Sequence, residues 1–200
     1  MIGKSELLEA IAGKNRGLLA SATDRQAILA AIVRLEERNP CPNPLAATAQ
    51  LEGNWQLLYT TSSDLLGIDR FPLLKLGQIY QIIRVQPAQI FNIAEVYGVP
   101  YLEGIVAVVA GFEATSERRV DVRFERGILG LQRLIGYQSP VALIQDIDAG
   151  KRFLPLDFSI NRENQKGWLE ITYLDDDLRI GRGNEGSVFV LRKVRQWQDS

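Results

Sequence analysis

In these 200 residues, one of the commonest instruments of enzyme chemistry is missing: there is no histidine. Ser-His-Asp and Cys-His nucleophile arrangements, and histidine-held zinc, are therefore excluded at the outset. The single cysteine, Cys41, forms no internal disulfide and lies in Pro40-Cys41-Pro42-Asn43-Pro44 without a helix start or cationic cluster beside it. It reads as an ordinary linker residue, because a reactive thiolate needs such a neighbour to lower its pKa. Gly181-Arg182-Gly183-Asn184-Glu185-Gly186 matches the dinucleotide fingerprint in letters. That fingerprint works only where a helix follows and offers its N-terminus to a pyrophosphate, and here the strand-like Ser187-Val188-Phe189-Val190-Leu191 follows instead. The glycines and Asn184 thus read as a hairpin turn that needs positive φ. Asp175-Asp176-Asp177 lacks the glycine and the twelfth-place glutamate of a calcium loop and reads as a turn between strands; Asp146 and Asp148 are read the same way. Five arginines between Arg118 and Arg133 are offset by Glu117, Asp121 and Glu125, leaving +2, which suits a solvated strand face.

The elements that carry these residues follow from periodicity. Thr23-Asp24-Arg25-Gln26 has capping-box spacing, and Ile28, Ala31, Ile32 and Leu35 recur at helical intervals until Asn39-Pro40 stops them. A shorter helix is expected from residue 5 to about 12, with Leu7, Leu8 and Ile11 on one side. From residue 54 the period changes to two. Strands are expected at 54–61, 78–85, 89–97, 103–114, 118–125, 153–160, 168–174, 178–182 and 187–194. Alternation such as Val120, Val122 and Phe124 against Asp121, Arg123 and Glu125 gives each strand one dry and one wet face. The expected fold is mainly β: an antiparallel β-barrel of 8–9 strands preceded by two N-terminal α-helices. The corresponding division is 1–39 helical, 40–45 a proline-stiffened connector and 46–200 the barrel. Two segments, 65–76 and 127–137, interrupt the meander; both are apolar with interspersed Arg or Lys, which suits either a lid or membrane-touching loop, or closing segments packed under the barrel.

Composition agrees with a globular chain: 46% hydrophobic, 24% charged, net charge −1. A balance so close to neutral makes nucleic acid an unlikely partner. The N-terminus carries Lys4, Glu6 and Glu9 among its apolar residues, unlike a signal or transit peptide, and no uncharged run approaches the ~20 residues of a membrane-spanning helix.

Gly53-Asn54-Trp55 at the entrance of the first strand resembles the G-x-W signature of lipocalins and calycins. That resemblance implies that Trp55, after Gly53, plugs one end of the barrel and that a cation from the last strand, Arg192, lies over its indole. A longer match covers most of the chain: Leu51-Glu52-Gly53-Asn54-Trp55-Gln56-Leu57-Leu58-Tyr59-Thr60-Thr61-Ser62, the stretch from Trp168-Leu169-Glu170-Ile171-Thr172-Tyr173 to Leu178-Arg179-Ile180-Gly181-Arg182-Gly183, and Ser187-Val188-Phe189-Val190-Leu191. These resemble the plastid lipid-associated protein (fibrillin) family. The resemblance implies a lipocalin-like barrel from a photosynthetic organism, associated with thylakoid membrane or lipid globules; an N-terminus unlike the transit peptide of plant members suits a cyanobacterial one.

The function expected on that basis is non-enzymatic: binding and carrying or sequestering an isoprenoid quinone, carotenoid or fatty acyl lipid, with peripheral membrane contact. No cofactor and no catalytic or metal residue is expected. Strand alternation assigns Tyr59, Phe124, Phe158, Tyr173 and Phe189 to the wall of the binding site. Arg182 is taken as its polar anchor, sharing a face with Leu178 and Ile180 and partnered by Asp177 or Glu170. Two alternatives stand beside this reading: a coat or docking protein with a plugged barrel, and a calycin-type enzyme or bilin lyase-like protein. Localisation is expected to be cytoplasmic or peripheral to the thylakoid.

Overall fold

The computed structural model describes residues 3–62, 75–98, 100–160 and 166–195. Two helices open the chain, α1 (Lys4–Ile11) and α2 (Ala22–Glu36). The cap of α2 lies two residues before the expected one. Ser21 Oγ accepts from the Asp24 amide at 3.1 Å, and the Asp24 carboxylate accepts from the Ser21 amide at 3.0 Å. Aspartate thus takes the place usually held by Glu or Gln in this reciprocal arrangement. A single helical turn, α3 (Thr48–Leu51), leads into the strands.

The strands are β1 (Gly53–Thr60), β2 (Lys75–Arg84), β3 (Gln89–Tyr97), β4 (Gly104–Ala114), β5 (Arg119–Leu131), β6 (Leu156–Ser159), β7 (Lys166–Leu174), β8 (Leu178–Gly183) and β9 (Val188–Val194). Each of the eight barrel strands pairs antiparallel with its neighbours, and the β1–β9 and β5–β7 pairings close the circle. β5 is long enough to serve two partners along one edge. Its first half, from Arg119, pairs with β7, and Arg126 to Leu129 pair with β6, the ninth strand. Closure leaves few unpaired backbone edges. Between β5 and β6 lie a short helix, α4 (Gln132–Ile135), and α5 (Pro140–Asp148). α5 has no counterpart among the expected elements, although Ser139 caps it by accepting from the Ala142 amide and Pro140 occupies its first turn, a common helix start.

The buried side chains fall into three groups. One fills the lumen and includes Trp55, Leu57, Ile83, Ala110, Val122, Ile171 and Leu191. The second lies between the outer barrel face and the N-terminal helices, where Leu7, Ile28, Ile32 and Leu35 meet Tyr59, Tyr173, Leu178, Ile180 and Val190. The third lies under α4 and α5, where Ile135, Leu143 and Ile144 meet Phe91, Ile93, Ile105 and Ile128. Large parts of the outer face are therefore as dry as the lumen. Of the two interruptions, 127–137 is the end of β5 followed by α4: Ile128 and Ile135 are buried under α5 while Leu129 and Leu134 stay exposed. The other, 65–76, lies outside the described residues except for Lys75 and Leu76 at the start of β2.

Polar links fix the two covering layers. Glu36, the last residue of α2, accepts from Arg182 Nε at 2.9 Å and Nη2 at 2.7 Å, and from the Thr172 hydroxyl. Lys4 on α1 pairs with Asp175, whose carboxylate also accepts from the amides of Asp177 and Leu178. The acidic triplet is thus a β7–β8 turn that also anchors α1. On the opposite side, Arg126 grips Asp157 with Nε and Nη2 at 2.8 and 2.7 Å, holding β6 against β5.

Candidate functional site

The barrel has two unlike ends. One carries the start of β1, the end of β9 and the β2–β3, β4–β5 and β7–β8 turns; α3 lies beside it. Trp55 is fully buried there, its indole N–H donating to the Leu51 carbonyl of α3 at 3.0 Å. Gly53 makes this entry possible on two counts. Its φ of 125° is one that side chains rarely adopt, and a Cβ would stand 3.1 Å from Cε of Lys193. Lys193 in turn donates to the carbonyls of Gln50 and Ala49, tying β9 to α3. This end is closed.

Two cations lie over the Trp55 ring, Arg179 at 4.9 Å and Lys193 at 5.3 Å from its centre. Arg192, the expected cation, is exposed and donates to Gln56 on the outer face. The parity of β9 explains the correction. Phe189 and Leu191 belong to the lumen, so Lys193 shares their face and Arg192 points away.

The same parity argument moves the polar anchor by one face. On β8 the apolar residues Leu178 and Ile180 are buried against the helices, and Arg182 shares their outer face, paired with Glu36 and not with Asp177 or Glu170. The lumen therefore receives Arg179, 1% exposed. Its guanidinium crosses the lumen to Gln81 of β2, to which Nη2 donates, and Gln81 Nε2 donates to Asn92 of β3 at 2.8 Å. Nε and Nη1 have no hydrogen-bond partner among the described residues. Burial lowers the Arg179 pKa to about 9, which leaves the group charged at neutral pH. Lys193 is also pushed down by burial, with Arg179 among the nearby cations.

Of the expected wall residues, Phe124 and Phe189 line the lumen. Phe158 is half-exposed on β6, its ring packed over Gly127 of β5. Tyr59 and Tyr173 are on the outer side, under the helices, with the Tyr173 hydroxyl donating to Asp175 at 2.6 Å. Simple alternation from Trp55 and Leu57, or from Leu169 and Ile171, would place both tyrosines inside. A β-bulge after Leu57 and another after Ile171 reverse the parity. Leu58 with Tyr59, and Thr172 with Tyr173, consequently face the helix layer as consecutive pairs.

The opposite end carries an apolar rim. Leu129 and Leu156 are cross-strand partners on β5 and β6, 43% and 49% exposed, and beside them stand the exposed Leu154, Phe158 and Leu134. Arg133 lies over the ring of Tyr101, 4.8 Å from its centre, in the β3–β4 connection. What results is a dry, cation-bearing lumen, plugged at one end and rimmed by exposed hydrophobic side chains at the other. Among the described residues no helix is long and apolar enough to cross a membrane.

The chain is similar to several plant plastid proteins. The chain is 34% identical over 217 residues to a light-induced chloroplastic protein of Solanum tuberosum, covering 95% of this chain and 66% of that protein. It is 33% identical over 216 residues to a chromoplast-specific carotenoid-associated protein of Cucumis sativus, and 32% identical over 217 residues to a plastid-lipid-associated protein of Citrus unshiu; each alignment covers 95% of this chain and 67% of the relative. The chain thus spans about two thirds of the length of these relatives. The pattern of the PAP_fibrillin family matches residues 1–192, and with these relatives it shows that the chain belongs to that family.

Proposed function

We propose that the barrel takes up a small hydrophobic molecule, an isoprenoid quinone, carotenoid or fatty acyl lipid, and carries or sequesters it from a position on the surface of thylakoid membrane or lipid globules. The observation that carries this reading is the polarity of the barrel along its axis. A plugged end with a few placed polar groups and an apolar interior with an apolar rim at the other end form the usual composition of a site for an oily ligand. Relatives named as carotenoid-associated and plastid-lipid-associated support a lipid partner. We read the protein as a non-enzymatic binder. Phe124 and Phe189 serve as lumen wall, Phe158 as rim, and Arg179 takes the anchoring role first assigned to Arg182.

The direct test is native mass spectrometry, with organic extraction, of the protein purified under mild conditions from a photosynthetic host. A stoichiometric quinone, carotenoid or acyl lipid is the expected result. A clean ligand-free mass with no uptake from a thylakoid lipid extract would replace this reading with that of a coat protein whose lumen is filled by its own side chains.

A further inference from the structure

The ninth strand leaves one edge of the sheet open. β6 lies in line with β7 along the same edge of β5, and among the described residues it alone of the nine strands is paired on one side only. Just beyond it, the amide of Ile160 donates to the Glu125 carbonyl at 2.9 Å. Residues of an antiparallel strand turn their backbone groups alternately toward and away from the partner. Leu156 and Phe158 are therefore bonded to β5, whereas Asp157 and Ser159 present N–H and C=O to the free edge. Proteins commonly guard such an edge with outward charges, because it is a template for another strand. No charge guards this one. Asp157, the one charged residue of β6, has its carboxylate 4% exposed and held by Arg126, while Leu156 and Phe158 are half-exposed on the other face, with Leu129 and Leu154 beside them.

We infer that two copies of the chain associate in water by antiparallel pairing of their β6 strands, each copy covering the apolar rim of the other. Acyl chains would cover the leucines but leave the backbone groups of the edge unpaired, whereas a second strand satisfies both. The residues of β6 suit self-pairing in particular. About a two-fold axis through Asp157, Leu156 of each copy stands opposite Phe158 of the other, an aliphatic–aromatic pair on one face of the sheet. Asp157 then meets its own counterpart, and each carboxylate has its charge already taken up by Arg126. The exposed parts of Leu129, Leu154, Leu156 and Phe158, with the strand edge, come to about 500 Å² per copy, or about 1,000 Å² for two, the lower bound for a specific interface and the range of transient ones. The four-residue length of β6 and Pro155 before it, which offers no N–H, hold the association to that weak class. Lipid and the second copy compete for one rim, so the dimer is the form in water and the monomer the form on a membrane. This goes beyond the carrier reading and stands without it, since neither the edge nor the leucines require a ligand in the lumen.

The experiment is sedimentation velocity of the full chain, without lipid, from about 1 μM to about 1 mM, where the mass should rise from monomer toward dimer with a Kd of about 10–100 μM. Residue-level amide exchange locates the contact. At the highest concentration the amides of Asp157 and Ser159 should exchange at least about fivefold more slowly than in dilute solution, while those of Leu156 and Phe158, bonded within the chain, stay the same. Ser159→Pro removes a donor from the free edge without breaking a bond to β5, so it should weaken association at least about tenfold and leave the near-ultraviolet circular dichroism unchanged. Ser159→Ala keeps the donor and should associate like the wild type. Leu156→Lys reaches the same end by placing a charge on the edge, and it stands in if the proline variant does not fold. A monomer at every concentration overturns the proposal and leaves the rim to lipid. A dimer that persists in Ser159→Pro and Leu156→Lys, with exchange at Asp157 and Ser159 insensitive to concentration, also overturns it by placing the contact elsewhere on the barrel.

Discussion

Trp55 holds three elements together: its indole N–H reaches α3, its ring meets cations from β8 and β9, and its body fills the closed end of the lumen. Each cation–π contact is worth about 0.5–2 kcal/mol, and the cavity left by truncating a large buried aromatic adds to their loss. Trp55→Ala should therefore lose about 3–5 kcal/mol in denaturant-monitored unfolding; a variant that unfolds with the parent would mean that Trp55 is not the plug. A second residue-scale prediction concerns Asp157. Its carboxylate is 4% exposed and gripped by Arg126, with further help from the Phe153 amide, so its pKa falls from 3.8 to about 2. A depressed folded-state pKa contributes stability that is present above about pH 4 and disappears as pH falls toward 2. Asp157→Asn should accordingly cost about 1–2 kcal/mol at pH 7 and almost nothing near pH 2. A penalty that stays constant across this range would point to lost packing instead. The Trp55 plug and its glycine were legible because a short motif states both. Its cationic partners were not, because choosing Arg192 over Lys193 requires knowing which face of β9 looks inward.

Parity is decided by elements, and here three features concealed it. The bulges in β1 and β7 each turn the following tyrosine outward, and a bulge adds one residue without a distinctive residue type. The helix layer makes the outer face of β8 apolar, so Leu178 and Ile180 imitate lumen residues while the arginine that does point inward, Arg179, resembles a solvated one. Strand positions, by contrast, were readable to within a few residues, since Gly, Pro and Asp punctuate them and period-two patterns survive a bulge on either side. β5 continues past its expected end at residue 125, since Gly127 and Gly130 resemble breaks in the sequence but lie within the strand. Each in fact lets a neighbour approach: a Cβ would strike the Phe158 ring at Gly127, and the Leu154 carbonyl at Gly130. The helix layer itself offers a test. Glu36 gathers Arg182 and Thr172 from β8 and β7 onto the end of α2, partly shielded from water. Glu36→Ala should cost about 1–2 kcal/mol. Its signature is local: amide hydrogen exchange in α2 should accelerate more than exchange in β2–β4 on the far side of the barrel. Uniform acceleration would show that the helices and barrel unfold as one unit and that this link is not the weak one.

At the scale of the molecule, two sides of the barrel are covered by helices and one end is closed by Trp55 and α3, and among the described residues the exposed Leu129, Leu134, Leu154, Leu156 and Phe158 lie toward the other end, with Leu19 and Val33 exposed on the helical side. Leu134 and Leu154 are 70% and 76% exposed, and each follows or precedes a glycine- or proline-bearing turn near the half-exposed pair Leu129 and Leu156. Hydrophobic side chains gathered at one end, with the Arg133 guanidinium over Tyr101 nearby, suit insertion at the boundary between lipid headgroups and acyl chains, where cations meet anionic lipid and leucines leave water. That orientation would also set the lumen mouth against the lipid from which a ligand is drawn. Burial of one leucine contributes about 1.5–3 kcal/mol, so replacing Leu134 and Leu154 together by glutamate should weaken binding to vesicles made with thylakoid galactolipids and anionic phosphatidylglycerol by at least about tenfold. Both side chains already face solvent, so the melting temperature should stay within a degree or two and uptake of hexadecanol from solution should be unchanged. Co-sedimentation equal to that of the parent would place the lipid-facing surface elsewhere on the barrel; a loss of vesicle binding accompanied by normal hexadecanol uptake would separate docking from carriage and assign the rim to the former.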